Sequence, residues 1–227
     1  MEIKYTTRQE EGTNLLRIIA ARDFNGVLKG TLGGLVGSEA NLTHLGTAWV
    51  YGNAKVYDNA KVYGDAQVSG NAWVFGNAQV FGDAWVFGDA QVFGKALVHG
   101  DALVFGTARV CGNALVSGTA RVCGNALVYG TAWVYGDAKV CGNARVSGDA
   151  AITPKVLTGF PFTVTFTDDH IRAGCQFHTI EAWCARGAAM IKAEGHPTVT
   201  AKAWHSIIMA VSAEHQKDVE QGKLYAK

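Results

Sequence analysis

The stretch GNAQVFGDAWVFGDAQVF, residues 76–93, repeats one six-residue unit three times. Each unit contains Gly, then Asn or Asp, then Ala, a variable residue, Val and an aromatic residue. The same pattern extends in both directions, with a valine at every sixth position from Val50 to Val146 and Ile152 after them. These eighteen units follow one another without an insertion. Such a regular repeat predicts a solenoid, in which each unit packs only against its neighbours.

The order of residues within a unit predicts its local structure. Successive side chains of a β-strand point to opposite faces, so the Ala and Val of a unit share one face. The residues on either side of Val share the other face. Gly and the Asn, Asp or Thr after it favour a turn. An α-helix is excluded, because a glycine at every sixth position would cost about 1 kcal/mol each. Each unit is therefore a short strand followed by a corner.

Three units close one triangular coil, so residues eighteen apart stack on one another. Coils separated by the spacing of a β-sheet, about 4.8 Å, give a prism roughly 29 Å tall. Valine fills the interior of this prism and alanine fits the tight corners. The pattern thus predicts a mainly β protein built from a parallel β-helix of about six to seven triangular coils.

The Val-x-Gly-Asn/Asp-Ala-x hexads over about residues 46–153 resemble those of hexapeptide-repeat proteins that fold as left-handed parallel β-helices. The left-handed winding is what the resemblance implies, since parallel strands normally connect through right-handed crossovers. The flanking segments RIIAARDFNGVLKGTLGGLVGSEANLTHLGTAWV and DDHIRAGCQFHTIEAW are similar to those of phage and prophage members of this group. The resemblance therefore implies a phage protein. The usual label of that group, transferase, rests on analogy of fold.

The chain divides into three predicted regions. Residues 1–45 form an N-terminal cap and an imperfect first coil, and a strand over residues 15–24 covers the open end of the prism. Residues 46–153 form the β-helix. Residues 154–227 form a small C-terminal α+β module, in which FTVTF (162–166) pairs with HIRAG (170–174). Two helices follow, over residues 179–194 and about 198–221, and the module covers the other end.

The composition indicates which binding partners and which cellular location to expect. The formal net charge is +1, which gives no electrostatic case for nucleic acid as a partner. No apolar run approaches the roughly 20 residues that span a bilayer, so no membrane partner is expected. The polar start MEIKYTTRQEEG does not resemble a signal peptide. We therefore expect a cytoplasmic protein whose five cysteines are reduced thiols.

The outward residues fall on three faces of the prism. The first face carries Trp49, Tyr51, Gln67, Ser69, Trp85, Phe87, Leu103, Phe105, Arg121, Cys123, Lys139 and Cys141. The second face carries Lys55, Tyr57, Trp73, Phe75, Gln91, Phe93, Arg109, Cys111, Leu127, Tyr129, Arg145 and Ser147. The third face carries Lys61, Tyr63, Gln79, Phe81, Leu97, His99, Leu115, Ser117, Trp133, Tyr135, Ala151 and Thr153.

These faces present many aromatic rings to the outside of the prism. One interpretation is that stacked rings only stabilise the sheets. The other is that so apolar an exterior packs against further subunits. The resemblance implies a homotrimer with parallel axes, and we expect that assembly.

Basic residues on the first two faces concentrate in the later coils, close to Tyr129. They are Arg109, Arg121, Lys139 and Arg145. If the first face of one subunit meets the second face of another, these residues line clefts between subunits. Arg and Lys beside aromatic rings suit a flat anionic ligand such as a nucleotide. The alternative is that they only solubilise one end of an apolar prism.

The first functional hypothesis is therefore a non-catalytic trimer of phage type. It would bind a nucleotide-like small molecule or a host protein in these clefts, including in evasion of host defence, and it needs no cofactor. The second hypothesis is an acyltransferase that uses acetyl-CoA, with His99 as its general base. The unbroken repeat opposes this, because transferases of this fold extend loops from a corner. The third hypothesis is a purely structural assembly protein.

Two sets of residues are weak candidates for metal binding. Asp65, Asp83 and Asp101 occupy one corner row on consecutive coils, where stacked carboxylates repel unless a cation or ordered water lies between them. Without a cation they are solvated turn residues. Cys175, His178, Cys184 and His205 contain the residue types of a zinc site, but their spacing is irregular.

Overall fold

The computed structural model describes residues 2–136, 138–147, 155–157, 164–173 and 176–225. The eighteenth repeat unit, at Ile152, lies outside the described residues. Three strands precede the regular repeat: β1 (Tyr5–Gln9), β2 (Leu16–Ala20) and β3 (Leu32–Val36). A short 3₁₀ helix, Glu39–Asn41, follows β3.

Each described unit of the repeat contributes one two-residue strand that ends at its valine. These strands are β4 (Trp49–Val50), β5 (Lys55–Val56), β6 (Lys61–Val62), β7 (Gln67–Val68), β8 (Trp73–Val74), β9 (Gln79–Val80), β10 (Trp85–Val86), β11 (Gln91–Val92), β12 (Leu97–Val98), β13 (Leu103–Val104), β14 (Arg109–Val110), β15 (Leu115–Val116), β16 (Arg121–Val122), β17 (Leu127–Val128), β18 (Trp133–Val134), β19 (Lys139–Val140) and β20 (Arg145–Val146).

The strands form three parallel sheets, one for each predicted face. Strands three apart in order are neighbours, as in β4-β7-β10-β13-β16-β19 for the first face. The register joins residues eighteen apart, for example Trp85 to Leu103 and Val86 to Val104. This confirms the predicted parallel β-helix of about six turns. The left-handed winding stays a prediction.

The interior of the prism is a column of valine and alanine. The repeat valines from Val50 to Val146, and the alanine two residues before each of them, are buried. Glycine is required at the corners. Gly82, for example, has φ +69°, and a Cβ added there would lie 3.0 Å from the backbone nitrogen of Gly100 on the next coil. Each corner thus needs a residue that accepts a left-handed backbone and leaves room for the coil above it.

The N-terminal segment forms an imperfect first coil, and a hairpin covers it. Val36 pairs with Val56 and Leu42 pairs with Val62, so the offset here is twenty residues rather than eighteen. Strands β1 and β2 are antiparallel, and β2 continues the second-face sheet beyond β3. The hairpin also covers Trp49, which is 0% exposed. Our assignment of Trp49 to the open exterior is therefore wrong, because Tyr5 of the hairpin and Phe24 after it pack edge-on against its ring, at 6.2 and 5.3 Å.

Side chains of this cap bind backbone carbonyls that have no complete coil before them. Within the prism, carbonyls at the Ala, Val and Gly positions accept hydrogen bonds from the preceding coil, as Ala102 does from the Trp85 amide at 2.9 Å. In the first coil, the ammonium group of Lys4 donates to the Ala48 carbonyl at 2.8 Å. The Tyr5 hydroxyl donates to Leu42 at 2.7 Å. These bonds satisfy acceptors that would otherwise be buried without a partner.

The C-terminal module contains four strands and two helices. They are β21 (Lys155–Leu157), β22 (Val164–Phe166), β23 (His170–Ala173), β24 (Gln176–Thr179), α1 (Ile180–Ala193) and α2 (Thr198–Tyr225). The predicted β22–β23 pair and both predicted helices are confirmed, whereas β21 and β24 were not predicted. The strands form a separate antiparallel sheet. None of the described helices is long and apolar enough to cross a membrane.

One sequence-based expectation about the cysteines is wrong. Cys123 and Cys141 form a disulfide, with their Cα atoms 4.5 Å apart. They occupy equivalent outward positions on consecutive coils, so the stacking of the coils brings the two sulfur atoms together. Cys111 and Cys184 are free thiols. The odd number of cysteines and the expected cytoplasmic location favoured reduced thiols. The spacing of eighteen residues nevertheless makes Cys123 and Cys141 direct neighbours on consecutive coils.

We expect the buried Lys4 to make stability depend on pH. Burial, helped by repulsion from Arg22, lowers the pKa of Lys4 to about 8 from its ordinary value near 10.5. Between these values the unfolded chain binds more protons than the folded chain, so the free energy of unfolding rises with pH from 8 towards 10, by up to roughly 1.4 kcal/mol per unit. Above pH 10 Tyr5, whose pKa burial raises to about 12, acts in the opposite direction.

Urea unfolding at pH 8, 9 and 9.5 tests this expectation. In Lys4→Met, most of the rise in the free energy of unfolding with pH should be lost. Lys29→Met, at an exposed lysine of the same segment, should keep this rise. An unchanged slope in Lys4→Met would show that the buried ammonium group is not its source.

The disulfide should stabilise the last coils. It closes a loop of eighteen residues, for which restriction of the unfolded chain contributes roughly 3 kcal/mol. Dithiothreitol should therefore lower the thermal midpoint of the wild-type protein. Cys123→Ser should have the lower midpoint with or without the reductant, and Cys111→Ser should respond as the wild type does. An equal midpoint for oxidised and reduced wild-type protein would contradict the expectation.

Candidate anion-binding site

The five predicted ligand-binding residues lie on two faces. Arg121 and Lys139 are register neighbours on the first face. On the second face, Arg109 and Arg145 are the two register neighbours of Leu127, in β14 and β20. Tyr129 follows Leu127 by two residues and so points outward on the same face. A single chain thus places Arg109, Tyr129 and Arg145 on its second face. It places Arg121 and Lys139 on its first face.

Charge is distributed unevenly along the prism. Residues 46–101 contain five acidic and three basic residues: Asp58, Asp65, Asp83, Asp89, Asp101, Lys55, Lys61 and Lys95. Residues 102–147 contain one acidic and four basic residues: Asp137, Arg109, Arg121, Lys139 and Arg145. All four of these basic side chains are exposed. The later coils therefore carry an excess of positive charge.

The three arginines of the later coils have no ion-pair partner in the part of the chain that the structure describes. Arg109 instead lies over the ring of Phe93, with its guanidinium carbon 5.3 Å from the ring centroid. Next to Arg109, burial raises the pKa of the Cys111 thiol, and the positive charge of Arg109 opposes this only in part. Cys111 is therefore protonated at neutral pH and does not act as an anion here.

Sequence reasoning missed one functional candidate, Arg172 of β23. Its guanidinium group donates a hydrogen bond to the Tyr129 hydroxyl and lies over the Tyr129 ring, 5.7 Å from the centroid. On its other side it lies 4.8 Å from the ring centroid of Phe177. The C-terminal module thus contacts the second face at Tyr129. No periodic signal marks this contact, because it joins two different structural modules.

His99 is one ring of an aromatic ladder on the third face. Tyr63, Phe81 and His99 stack with centroids 4.8 Å apart at each step. No hydrogen bond from the imidazole to a carboxylate is found among the described residues. Such a bond is the usual means of orienting a histidine that acts as a general base. The ring therefore has the environment of a packing residue.

The described residues contain no group of three or more His, Cys, Asp or Glu placed to hold a metal ion. Asp65 accepts hydrogen bonds from the Thr47 hydroxyl at 2.6 Å and the Thr47 amide at 2.9 Å. These bonds lower the pKa of Asp65. Asp83 and Asp101 are exposed in the same corner row. Cation binding by this row stays a prediction.

The members of the predicted zinc set have other partners or lie outside the described residues. His178 bonds the Gln176 side chain at 3.1 Å, and His205 bonds the Trp183 carbonyl at 2.7 Å. Cys184 is exposed, and Cys175 is not among the described residues. The described geometry therefore gives no support to zinc binding by this set.

Comparison with known proteins gives one family match. A model of the YdcK beta solenoid repeat matches residues 66–82 and 120–136, both inside the prism. No curated protein is similar enough to match. The two matched segments are a small part of the chain, so they bear on its repeat and not on its activity. The match agrees with the three parallel sheets of the prism, and within these segments the repeat of the chain is similar to the YdcK beta solenoid repeat.

Proposed function

We propose that the chain is a non-catalytic binding protein whose later coils capture a flat, anionic, nucleotide-like ligand. The observation that carries the proposal is that Arg109, Arg121 and Arg145 are exposed and have no ion-pair partner in the described part of the chain. No acidic residue occurs between residues 102 and 136. Exposed guanidinium groups that form no ion pair attract anions and offer them bidentate hydrogen bonds.

We propose further that three copies assemble with parallel axes. Each face exposes a large apolar ring in an otherwise flat sheet: Trp85 is 45%, Trp73 39% and Trp133 53% exposed. An interface between the first face of one copy and the second face of the next is head-to-tail, and such an interface closes into a ring when the rotation is one third of a turn. Arg121 and Lys139 would then face Arg109 and Arg145 across three equivalent clefts.

The surroundings of His99 favour binding over acyl transfer. Its ring is stacked in a ladder, and consecutive strands of the prism are spaced at six residues without a corner loop that would shape an acceptor site. The phage origin remains a prediction from the resemblance, and the cytoplasmic setting remains a prediction from composition. A role in evading host defence remains a prediction from the basic residues and aromatic rings of the clefts.

Binding and mass measurements on purified protein test the proposal. Light scattering should give three times the mass of one chain. Calorimetry with ATP and ADP should detect binding, and Arg121→Ala or Arg145→Ala should weaken it at least about tenfold, because a hydrogen bond to a charged group contributes roughly 1.5–3 kcal/mol.

Lys61→Ala is the matched control, because Lys61 is exposed on the third face at the other end of the prism. It should change the affinity less than about twofold, which is within the range of weak surface electrostatics. A trimer that binds neither nucleotide at millimolar concentration would favour a purely structural role and contradict ligand capture.

A further inference from the structure

The C-terminal module places a third arginine on the second face of the prism. Arg172 contacts both Tyr129 of the β-helix and Phe177 of its own sheet, so its guanidinium group is fixed between two rings. The next ring in this stack is His170, which lies 4.7 Å from Phe177. Arg172 is therefore held at this position by packing on both sides rather than extending freely into solvent.

Arg109 and Arg145 lie on either side of Tyr129 on the same face. Both are register neighbours of Leu127, and Tyr129 is two residues further along that strand. Each arginine is thus a diagonal neighbour of Tyr129. Diagonal neighbours on one face have Cα atoms about 7–8 Å apart, which long side chains can bridge. Arg145 and Arg172, from two separate segments, therefore lie next to Tyr129, whereas the guanidinium group of Arg109 lies over Phe93 on the same face.

The surroundings of this cluster provide no described counter-charge. The corner residues before β14, β17 and β20 are Thr107, Asn125 and Asn143, which are neutral. On the C-terminal module, the carboxylate of Asp169 bonds the His170 ring at 2.7 Å. None of the three arginines forms an ion pair within the described ranges. Guanidinium groups without a counter-charge attract anions.

One polar group of Arg172 is also left without a partner. Its Nε atom is buried and makes no hydrogen bond. A buried donor of this kind costs free energy that a bound acceptor recovers. Nε and Nη2 form the edge of a guanidinium group that binds two oxygens of one phosphate, and a phosphate bound there would replace the Tyr129 hydroxyl as the acceptor of Nη2. The unpaired atom and the excess of positive charge thus point to the same class of ligand.

We infer that Arg145 and Arg172 form, beside Tyr129 and within a single chain, a site for a phosphate group or pyrophosphate group carried by a flat ring, to which Arg109 adds positive charge from the same face. This inference rests on the proposed capture of an anionic ligand, but it places that ligand within one chain, at a site that includes the C-terminal module, instead of in the intersubunit cleft. Arg172 binds the oxyanion, and Arg109 and Arg145 neutralise the remaining charge. Arg121 of the first face takes no part in this site.

Calorimetry on the full-length chain with pyrophosphate, ADP and adenosine tests the site. Pyrophosphate and ADP should bind and adenosine should not, because charge provides most of the attraction. Arg172→Ala should weaken ADP binding at least about tenfold, and Arg172→Lys should weaken it less, since an ammonium group keeps the charge but loses the bidentate geometry. Arg186→Ala, at an exposed arginine of α1, should leave the affinity within about twofold of wild type.

A comparison of Arg172→Ala with Arg121→Ala separates this inference from the intersubunit cleft. Loss of affinity only in Arg172→Ala supports the single-chain site and contradicts the cleft. Loss only in Arg121→Ala supports the cleft and overturns this inference. Loss in both means that the site includes Arg172 and lies at the cleft, which contradicts an origin within one chain. Binding of none of the probes overturns both.

A second measurement does not depend on how the variants fold. Phenylglyoxal modifies accessible arginines, and peptide mass spectrometry of wild-type protein can locate the modified residues. Pyrophosphate should protect Arg109, Arg145 and Arg172 but not Arg186. Equal modification of Arg172 with and without saturating pyrophosphate would overturn the site.

Discussion

Stacking of equivalent residues at a spacing of eighteen is the constraint on which the rest of this molecule depends. Valine and alanine fill an interior that has room for little else, and the register between coils repeats without a shift from β4 to β20. Because a slip of one residue would exchange the inner and outer sets of side chains, the interior fixes what every outward position displays. The arginines of the later coils owe their alignment to this constraint, although they make no contact with the interior themselves.

The same constraint explains how the outer faces are organised. Any two outward residues eighteen apart are neighbours, so like residues form ladders. Phe87 and Phe105 stack with centroids 4.9 Å apart, and the next two residues of the same column, Cys123 and Cys141, are joined by a disulfide. Aromatic stacking and a covalent bond thus occupy equivalent places in the same column. The chemistry of each face is determined by the choice of two outward residues in each unit.

Much of the prism could be predicted from the sequence, because the positions of the valines determine its strands, its register and its faces. The offset of the first coil could also be predicted, from the two extra residues before Val50. The burial of Trp49 and the position of Arg172 could not be predicted in this way. Both depend on how a non-repeating segment packs against the prism, and Arg172 and Tyr129 are 43 residues apart. The candidate site was thus predicted in part: the sequence pattern gave the residues of the faces but not the one that the C-terminal module adds.

The polar groups at the N-terminal end of the prism have a further consequence. Arg17 donates to the carbonyls of Gly33 and Gly52 at 2.9 and 2.8 Å, and Lys4 and Tyr5 occupy other acceptors of the same end. A second molecule placed end to end would find these acceptors already engaged. Repetitive β-sheet sequences are prone to grow into filaments through such open ends. At this end the protein therefore limits its own length, with side chains that also hold its first coil in place.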